Sequence, residues 1–404
     1  MILGRVVAGM GGGGLTAIST FVASDLVPLR RRGVWQGFGN VCYGLGGGLG
    51  GVFGGWVNDV WGWRVAFLAQ VPVTIISGIL VFFTVKVPVK QTDKSPWKRI
   101  DFLGATTMMV TLVLLLLGLN SGGNIVPWTH PLVLTTLPLS ALFAGIFIYV
   151  ESYIATEPVI PVKILLNRTV LAACLTNWFT TMAVFSLLFY GPIYFQVKGF
   201  STTQAGIRLI PQAIGAALGS LGSGVVMRWL GRYLVLNVFV ELIFVASLAL
   251  ISTFTLTSPG WQPFVYLLLA GVGYGGMLTV TLLALIAAVD HKHQAVITSA
   301  SYAFRSTGST IGITIASAVF QNILKMELWS RFGDRKDAAM VIGRIRDSFD
   351  EIKHLPPEWK GGVQDVYMDA LRAVFLTTLG IGILGAIVSL FMREHKLHSN
   401  LARK

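Results

Sequence analysis

Eleven apolar stretches, separated by short polar segments, divide the chain at about 2–27, 34–57, 64–86, 102–120, 131–150, 169–196, 203–226, 233–255, 262–289, 296–323 and 371–392. Each is long enough to cross roughly 30 Å of hydrocarbon. No water is available there to satisfy backbone N–H and C=O groups, so each stretch is expected to be a helix. The pattern therefore predicts an all-α membrane protein with eleven transmembrane helices. The polar segment 326–369 is the one sizeable element outside them. Within it Ile342, Ile345, Phe349 and Ile352 recur at helical spacing between charges, which predicts an amphipathic helix lying on the membrane surface or capping the bundle.

A second pattern runs across the first. Gly9, Gly11, Gly13, Gly14, Gly46 and Gly50 return 262 residues later as Gly271, Gly273, Gly275, Gly276, Gly308 and Gly312. Two clusters holding one register inside apolar segments point to two related halves. Subtracting the offset from 262–289 and 296–323 gives the first two spans, whereas 169–196, 203–226 and 233–255 map to negative numbers. The expectation is a first half without its first three helices. Residues 1–100 would be the partial first half with a linker, 101–168 a central helix pair with its linker, and 169–404 a complete six-helix half. Parallel repeats of this kind fit secondary transporters.

Composition agrees and narrows the class. The chain has 404 residues, 54% hydrophobic and 12% charged, about half the charged fraction of a soluble protein. The net charge of +13 could suggest a nucleic-acid partner, but its distribution argues against one. Alternate loops and the tail carry 17 basic residues, among them Arg30, Arg31, Arg32, Lys94, Arg99, Arg168 and Lys292; the short opposite loops hold only Arg64 and Lys198. By the positive-inside rule the basic side, with the C-terminus, is cytosolic. Cys42 and Cys174 both sit inside spans, which excludes a disulfide scaffold. The polar segment 326–369 nearly balances its charges, so it offers no patch for concentrating substrate.

The candidate chemistry lies in the polar residues inside spans. Glu241 is the only acidic residue deep within one; a lone carboxyl there could exchange protons or serve as a structural partner to an arginine or hydroxyl. Arg305 could face a cavity or hold a helix carbonyl. Asn40, Asn177, Tyr190, Tyr194 and Gln196 are candidate cavity-lining groups, or simply hydrogen-bond a neighbouring helix. Arg5 could face an aqueous cavity or snorkel from its helix end, and Arg208 is placed where snorkelling is expected. Gly46, Gly50, Gly54 and Gly55 suggest close helix packing. No G-x-x-x-x-G-K-[ST] loop, Ser/His/Asp set or metal-ligand cluster argues for an ATP-driven pump or an enzyme. His291 and His293 read as solvated loop residues. No cofactor or metal is implied.

Six, two and six helices, with the three restored, resemble the fourteen-helix drug:proton antiporter branch of the major facilitator superfamily. Arg5 with Gly9 and Gly14, in GRVVAGMGGGG, looks like that family's arginine-glycine motif. GLGGGLGGVFGGWVND, residues 44–59, is similar to its antiporter glycine motif, although Gly, Val and Phe at 51–53 stand where a proline is usual. The segment Trp61 to Pro72 resembles the opening of the next helix. Gly224, Arg228, Gly231 and Arg232, in GVVMRWLGRY, resemble the second copy of the signature loop, which implies a conformational role in locking helices on the cytosolic side; ordinary positive-inside charge is the other reading. The wording of 332–359 is similar to fungal vacuolar basic amino acid and multidrug transporters. The resemblance implies a monomeric antiporter of small molecules and protons in a vacuolar or plasma membrane bilayer, with its substrate at the midplane. The alternative is a truncated, non-transporting scaffold or regulator.

Overall fold

The computed structural model describes residues 2–26, 29–85, 101–122, 125–155, 162–289, 293–335, 338–347 and 357–395, with some side chains of the first two helices outside the description. The basic linker with Lys94 and Arg99, His291, Phe349 and Ile352 fall outside the described residues, as do the side chains of Asn40 and Arg228.

Each of the eleven expected stretches is helical. They form α1 (Ile2–Leu26), α2 (Leu29–Trp61), α3 (Trp63–Thr84), α4 (Phe102–Ser121), α5 (Pro131–Tyr149), α7 (Arg168–Val197), α9 (Ile210–Leu230), α10 (Leu234–Ser252), α11 (Gln262–Ala288), α12 (Gln294–Phe332) and α14 (Pro357–Ser389). Short helices among the described residues include α6 (Val162–Leu165), α8 (Thr202–Ile207) and α13 (Ala338–Asp347), and a π-helical turn, Val150–Ile154, continues α5. Among the described residues there is no strand, only an isolated bridge between Gly122 and Val126. Nine spans among them are long and apolar enough to cross a membrane, and α1 and α2 add helices of 25 and 33 residues.

Local chemistry sets the helix ends. The Asp101 carboxylate accepts the Gly104 N–H at 2.8 Å and starts α4. Asn167 accepts the Thr169 N–H at 3.0 Å and starts α7, as Asx side chains at an N-cap do. The expected span 203–226 divides in two. Its first turns form α8, opened by a capping box between Ser201 and Gln204; α9 then begins with Pro211 in its first turn, where a missing N–H costs nothing. Gly231 ends α9 at φ 64, the left-handed conformation that glycine adopts without strain.

The polar segment 326–369 proves mostly helical. The helix α12 runs to Phe332 and α14 begins at Pro357 rather than near 371. At about 1.5 Å per residue, the 39 residues of α12 exceed what the hydrocarbon requires. Their projecting turns are held by packing: Phe332 stacks on Trp359 at 4.7 Å, Arg335 lies 4.8 Å above the Trp359 ring, and Arg331 pairs with Asp369 at 2.6 Å. Of the two settings expected for the amphipathic helix, the cap is the one found. Ile342 and Ile345 of α13 are buried against this cluster, and the Tyr367 hydroxyl donates to the Ile345 carbonyl at 2.7 Å.

The core belongs to α7 and the helices around it, α9 to α12 and α14. Here α9 crosses α11 through Gly215, Gly219, Gly271 and Gly275, positions at which a side chain would strike the facing backbone.

Candidate functional site

Two cavities open where α2 meets the six-helix group. The larger, of about 390 Å³, is lined by Gly46, Gly47, Phe185, Leu188 and Tyr274, near the middle of α2, α7 and α11. The smaller, of about 310 Å³, lies toward the far end and is lined by Asn58, Trp63, Phe67, Gln196, Thr202 and neighbouring glycines.

A buried polar layer lies on the other side of the larger cavity, toward the basic end of the bundle. Its centre is Asn177 on α7, fully buried. The amide nitrogen donates to the Ala173 carbonyl at 2.9 Å. Its oxygen accepts the Arg305 Nε–H at 2.9 Å and the Thr281 hydroxyl at 3.4 Å. Glu241 on α10 is buried with neither carboxyl oxygen hydrogen-bonded; the Thr180 hydroxyl of α7, itself unpartnered, is its polar neighbour. One turn earlier, both polar atoms of the Asn237 amide also lack a partner. A cluster of unmet polar groups is unusual in so buried a place.

The sequence-derived residues divide accordingly. The structure brings Asn177 and Arg305 together, while Glu241 lies apart from them on Thr180. Tyr190 packs at a tilt against Phe320, ring centres 5.1 Å apart, within the core, and Tyr194 donates to the Thr255 carbonyl at 3.0 Å. Gln196 lines the smaller cavity. Arg5 is exposed on α1, its guanidinium 4.7 Å from the centre of the Phe67 ring. Arg208 lies 3.6 Å from the Phe200 ring centre. Of the glycines of α2, Gly55 meets Thr202 and Thr203, and Gly48 and Gly51 meet Ala213 and Gly206. Gly46, Gly50 and Gly54 face open space within 4 Å, as do Gly9 and Gly14 of α1 and Gly224 of α9.

Two ties escaped sequence reasoning. At the end of α2, past its apolar stretch, the Asp59 carboxylate accepts the Thr203 N–H at 3.0 Å and the hydroxyls of Thr202 and Thr203. Burial alone would raise Asp59, but the hydrogen bonds from Thr202, Thr203 and Ser201 outweigh it and hold its carboxyl below the ordinary value. The capping-box spelling at 201–204 marked the acceptor helix; nothing in the sequence marked Asp59 as its partner. At the basic end, Glu394 accepts the N–H groups of Tyr233 and Leu234 at 2.9 and 3.0 Å, capping α10. The His395 N–H donates to the Tyr233 hydroxyl at 2.9 Å. Burial pushes that phenol up to about 12, so it keeps the proton that it donates to the Arg393 carbonyl. The clasp lies directly beside Gly231 and the exposed Arg232.

Comparison with known proteins follows the same lines. The family model described as Major Facilitator Superfamily matches residues 1–313. The chain is 37% identical to the "Multidrug resistance protein fnx1" of Schizosaccharomyces pombe, over all of this chain and 77% of the relative. It is 31% identical to "Vacuolar membrane amino acid uptake transporter fnx2" of the same organism, over 98% of this chain and 69% of that one. It is 30% identical to "Vacuolar basic amino acid transporter 2" of Saccharomyces cerevisiae, over 99% and 86%. The crystal structure of a bacterial homologue of the human lysosomal transporter Spinster, inward-facing and occupied, superposes with a TM-score of 0.54 over 92% of this chain and 72% of that one, at 15% identity.

Proposed function

The chain belongs to the Major Facilitator Superfamily, and from that premise we propose that this multi-pass membrane transporter exchanges basic amino acids for protons across the vacuolar membrane. The observation that carries the coupling is Glu241, a buried carboxyl group with no counter-charge among the described residues and unpartnered hydroxyl and amide groups around it. A permanent charge at that depth is expensive, and intramembrane carboxyl groups of this kind mark proton relays. The amino acid is supported by likeness to relatives described as vacuolar amino acid transporters, across nearly the whole chain.

The substrate binds near the midplane, in the cavity between α2, α7 and α11, with Tyr274 on its wall and Asn177 and Arg305 in the polar layer next to it. Residues 1–100 act as part of one moving half, 101–168 as the central pair and 169–404 as the other half. The close contacts of Gly51 with Gly206 and of Gly55 with Thr202 give the halves a surface on which to rock. Gly231, Arg228 and Arg232 control the cytosolic side, the C-terminus is cytosolic, and the chain acts as a monomer.

Efflux of hydrophobic drugs is the second reading, favoured by the likeness to the multidrug resistance protein. Uptake of labelled lysine and of a fluorescent hydrophobic cation into vacuolar vesicles carrying the protein separates the two. Gradient-dependent lysine uptake is expected; transport of the dye alone would replace the amino acid reading with the drug reading.

A further inference from the structure

Arg305 sits on α12, half-buried, and is held from one side only. Its Nε donates to the Asn177 amide oxygen at 2.9 Å, and one terminal nitrogen reaches the Leu278 carbonyl at 3.5 Å. The amide cannot turn away without cost, because its nitrogen is tied to the Ala173 carbonyl. The Tyr302 ring centre lies 5.3 Å from the guanidinium carbon. Among the described residues no carboxylate forms an ion pair with Arg305, and both oxygens of the buried Glu241 carboxyl lack a hydrogen-bond partner.

A guanidinium has five N–H donors in a fixed plane, and the two bonds leave the rest unused. Neutral acceptors therefore fix its position without neutralising it. A cation at this depth is costly without a counter-charge, and the fork of a guanidinium matches a carboxylate through two parallel hydrogen bonds. The position relative to the cavity fits such a ligand. Leu278 lies about one helical turn, roughly 6 Å, along α11 from Tyr274, and Tyr274 lines the 390 Å³ cavity. The other lining groups, Gly46, Gly47, Phe185 and Leu188, bring no charge of their own.

We propose that Arg305, positioned by Asn177, is the anchor for the carboxylate of the transported amino acid. The inference rests on the amino acid reading above and sharpens it: the site requires a free carboxylate and discriminates against amides and against cations that lack one. Thr281 and Asn177 act as positioning residues, setting the plane of the guanidinium.

The test is binding to the purified full chain in lipid nanodiscs, with lysine, lysinamide and tetraphenylphosphonium as probes. The parent protein is expected to bind lysine about tenfold or more tightly than lysinamide, as the loss of a charge-assisted hydrogen bond implies. In Arg305→Gln the lysine affinity should fall to that of lysinamide, with lysinamide binding itself kept, which also reports that the fold survives. Arg305→Lys, which keeps the charge but not the fork, should fall between and decides the matter if the Gln variant fails to fold. Equal binding of lysine and lysinamide by the parent, or discrimination retained in the variants, would overturn the anchor and leave the amino acid reading standing. Binding of tetraphenylphosphonium with neither lysine nor lysinamide would overturn both.

Discussion

A methyl group added at Gly275 would strike the Ala216 carbonyl oxygen, whereas at Gly13, the matching position 262 residues earlier, it would meet nothing within 4 Å. Gly312 and Gly50 repeat the contrast, with the Met182 backbone in the way at one and open space at the other. Whole helices differ in the same sense. The helix α3 buries none of its residues, while α7 buries 19 of 30, including Thr176, Asn177, Thr180 and Thr181. Yet α3 is the more apolar of the two. Lipid tails solvate leucine as well as another helix does, so an apolar helix gains little from being covered; small and polar residues are what draw helices together. In this chain hydropathy reports the surrounding lipid, and glycine with threonine and asparagine reports the protein neighbours.

The contrast can be broken most forcefully at its glycines. Gly275→Val should displace α11 from α9 and cost about 3 kcal/mol or more, seen as loss of folded protein in the membrane, while Gly13→Val leaves thermal unfolding unchanged. Equal damage at both positions would erase the distinction between the regions. Next in size is the polar layer. Glu241→Gln keeps shape but removes titration; gradient-driven lysine uptake should drop to the background of empty vesicles while lysine–lysine exchange persists. Uptake with an unaltered pH profile would reduce Glu241 to a packing residue. The smallest effect is expected where the regions touch. Asp59→Ala removes the hydrogen bonds from the first turn of α8 to α2, leaves the Ser201–Gln204 capping box in place, and should cost about 1 kcal/mol. Because hydrogen bonds hold the Asp59 carboxyl below its ordinary value of 3.8 despite burial, its contribution is complete above that value and is lost as pH falls through the lower folded one. Unfolding midpoints should therefore show no Asp59-dependent change from about pH 7 to about pH 5, and an acid loss that Asp59→Asn abolishes.

Much of this architecture was legible in the chain. Spans of apolar residues have few options in hydrocarbon, and all eleven formed helices. Gly271, Gly275, Gly308 and Gly312 were legible as one side of a repeat, and the structure shows them to be close crossings of the second half. The exact face of α2 was not legible: contact falls on Gly48, Gly51 and Gly55, one position from Gly50 and Gly54, because six glycines within 44–51 leave no periodic side-chain stripe to choose from. The meeting of Asn177 with Arg305 joins residues 128 apart, a distance that helix periodicity cannot bridge. Likewise Glu241 stood out as a charge among apolar residues, but its neighbour Thr180 depends on how α7 and α10 lie together. The cap at 338–347 was visible as a pattern, while the extension of α12 and α14 into it was hidden by their charged turns, which aromatic stacking and the Arg331–Asp369 pair offset.

The central claim is that amino acid movement and proton movement are one event. Liposomes holding the purified protein and a pH-sensitive dye, loaded acidic and given external lysine, measure it directly. The account predicts that lysine entry makes the interior more alkaline, in proportion to the lysine taken up, and that Glu241→Gln abolishes the response. Lysine entry with an unchanged internal pH would contradict it.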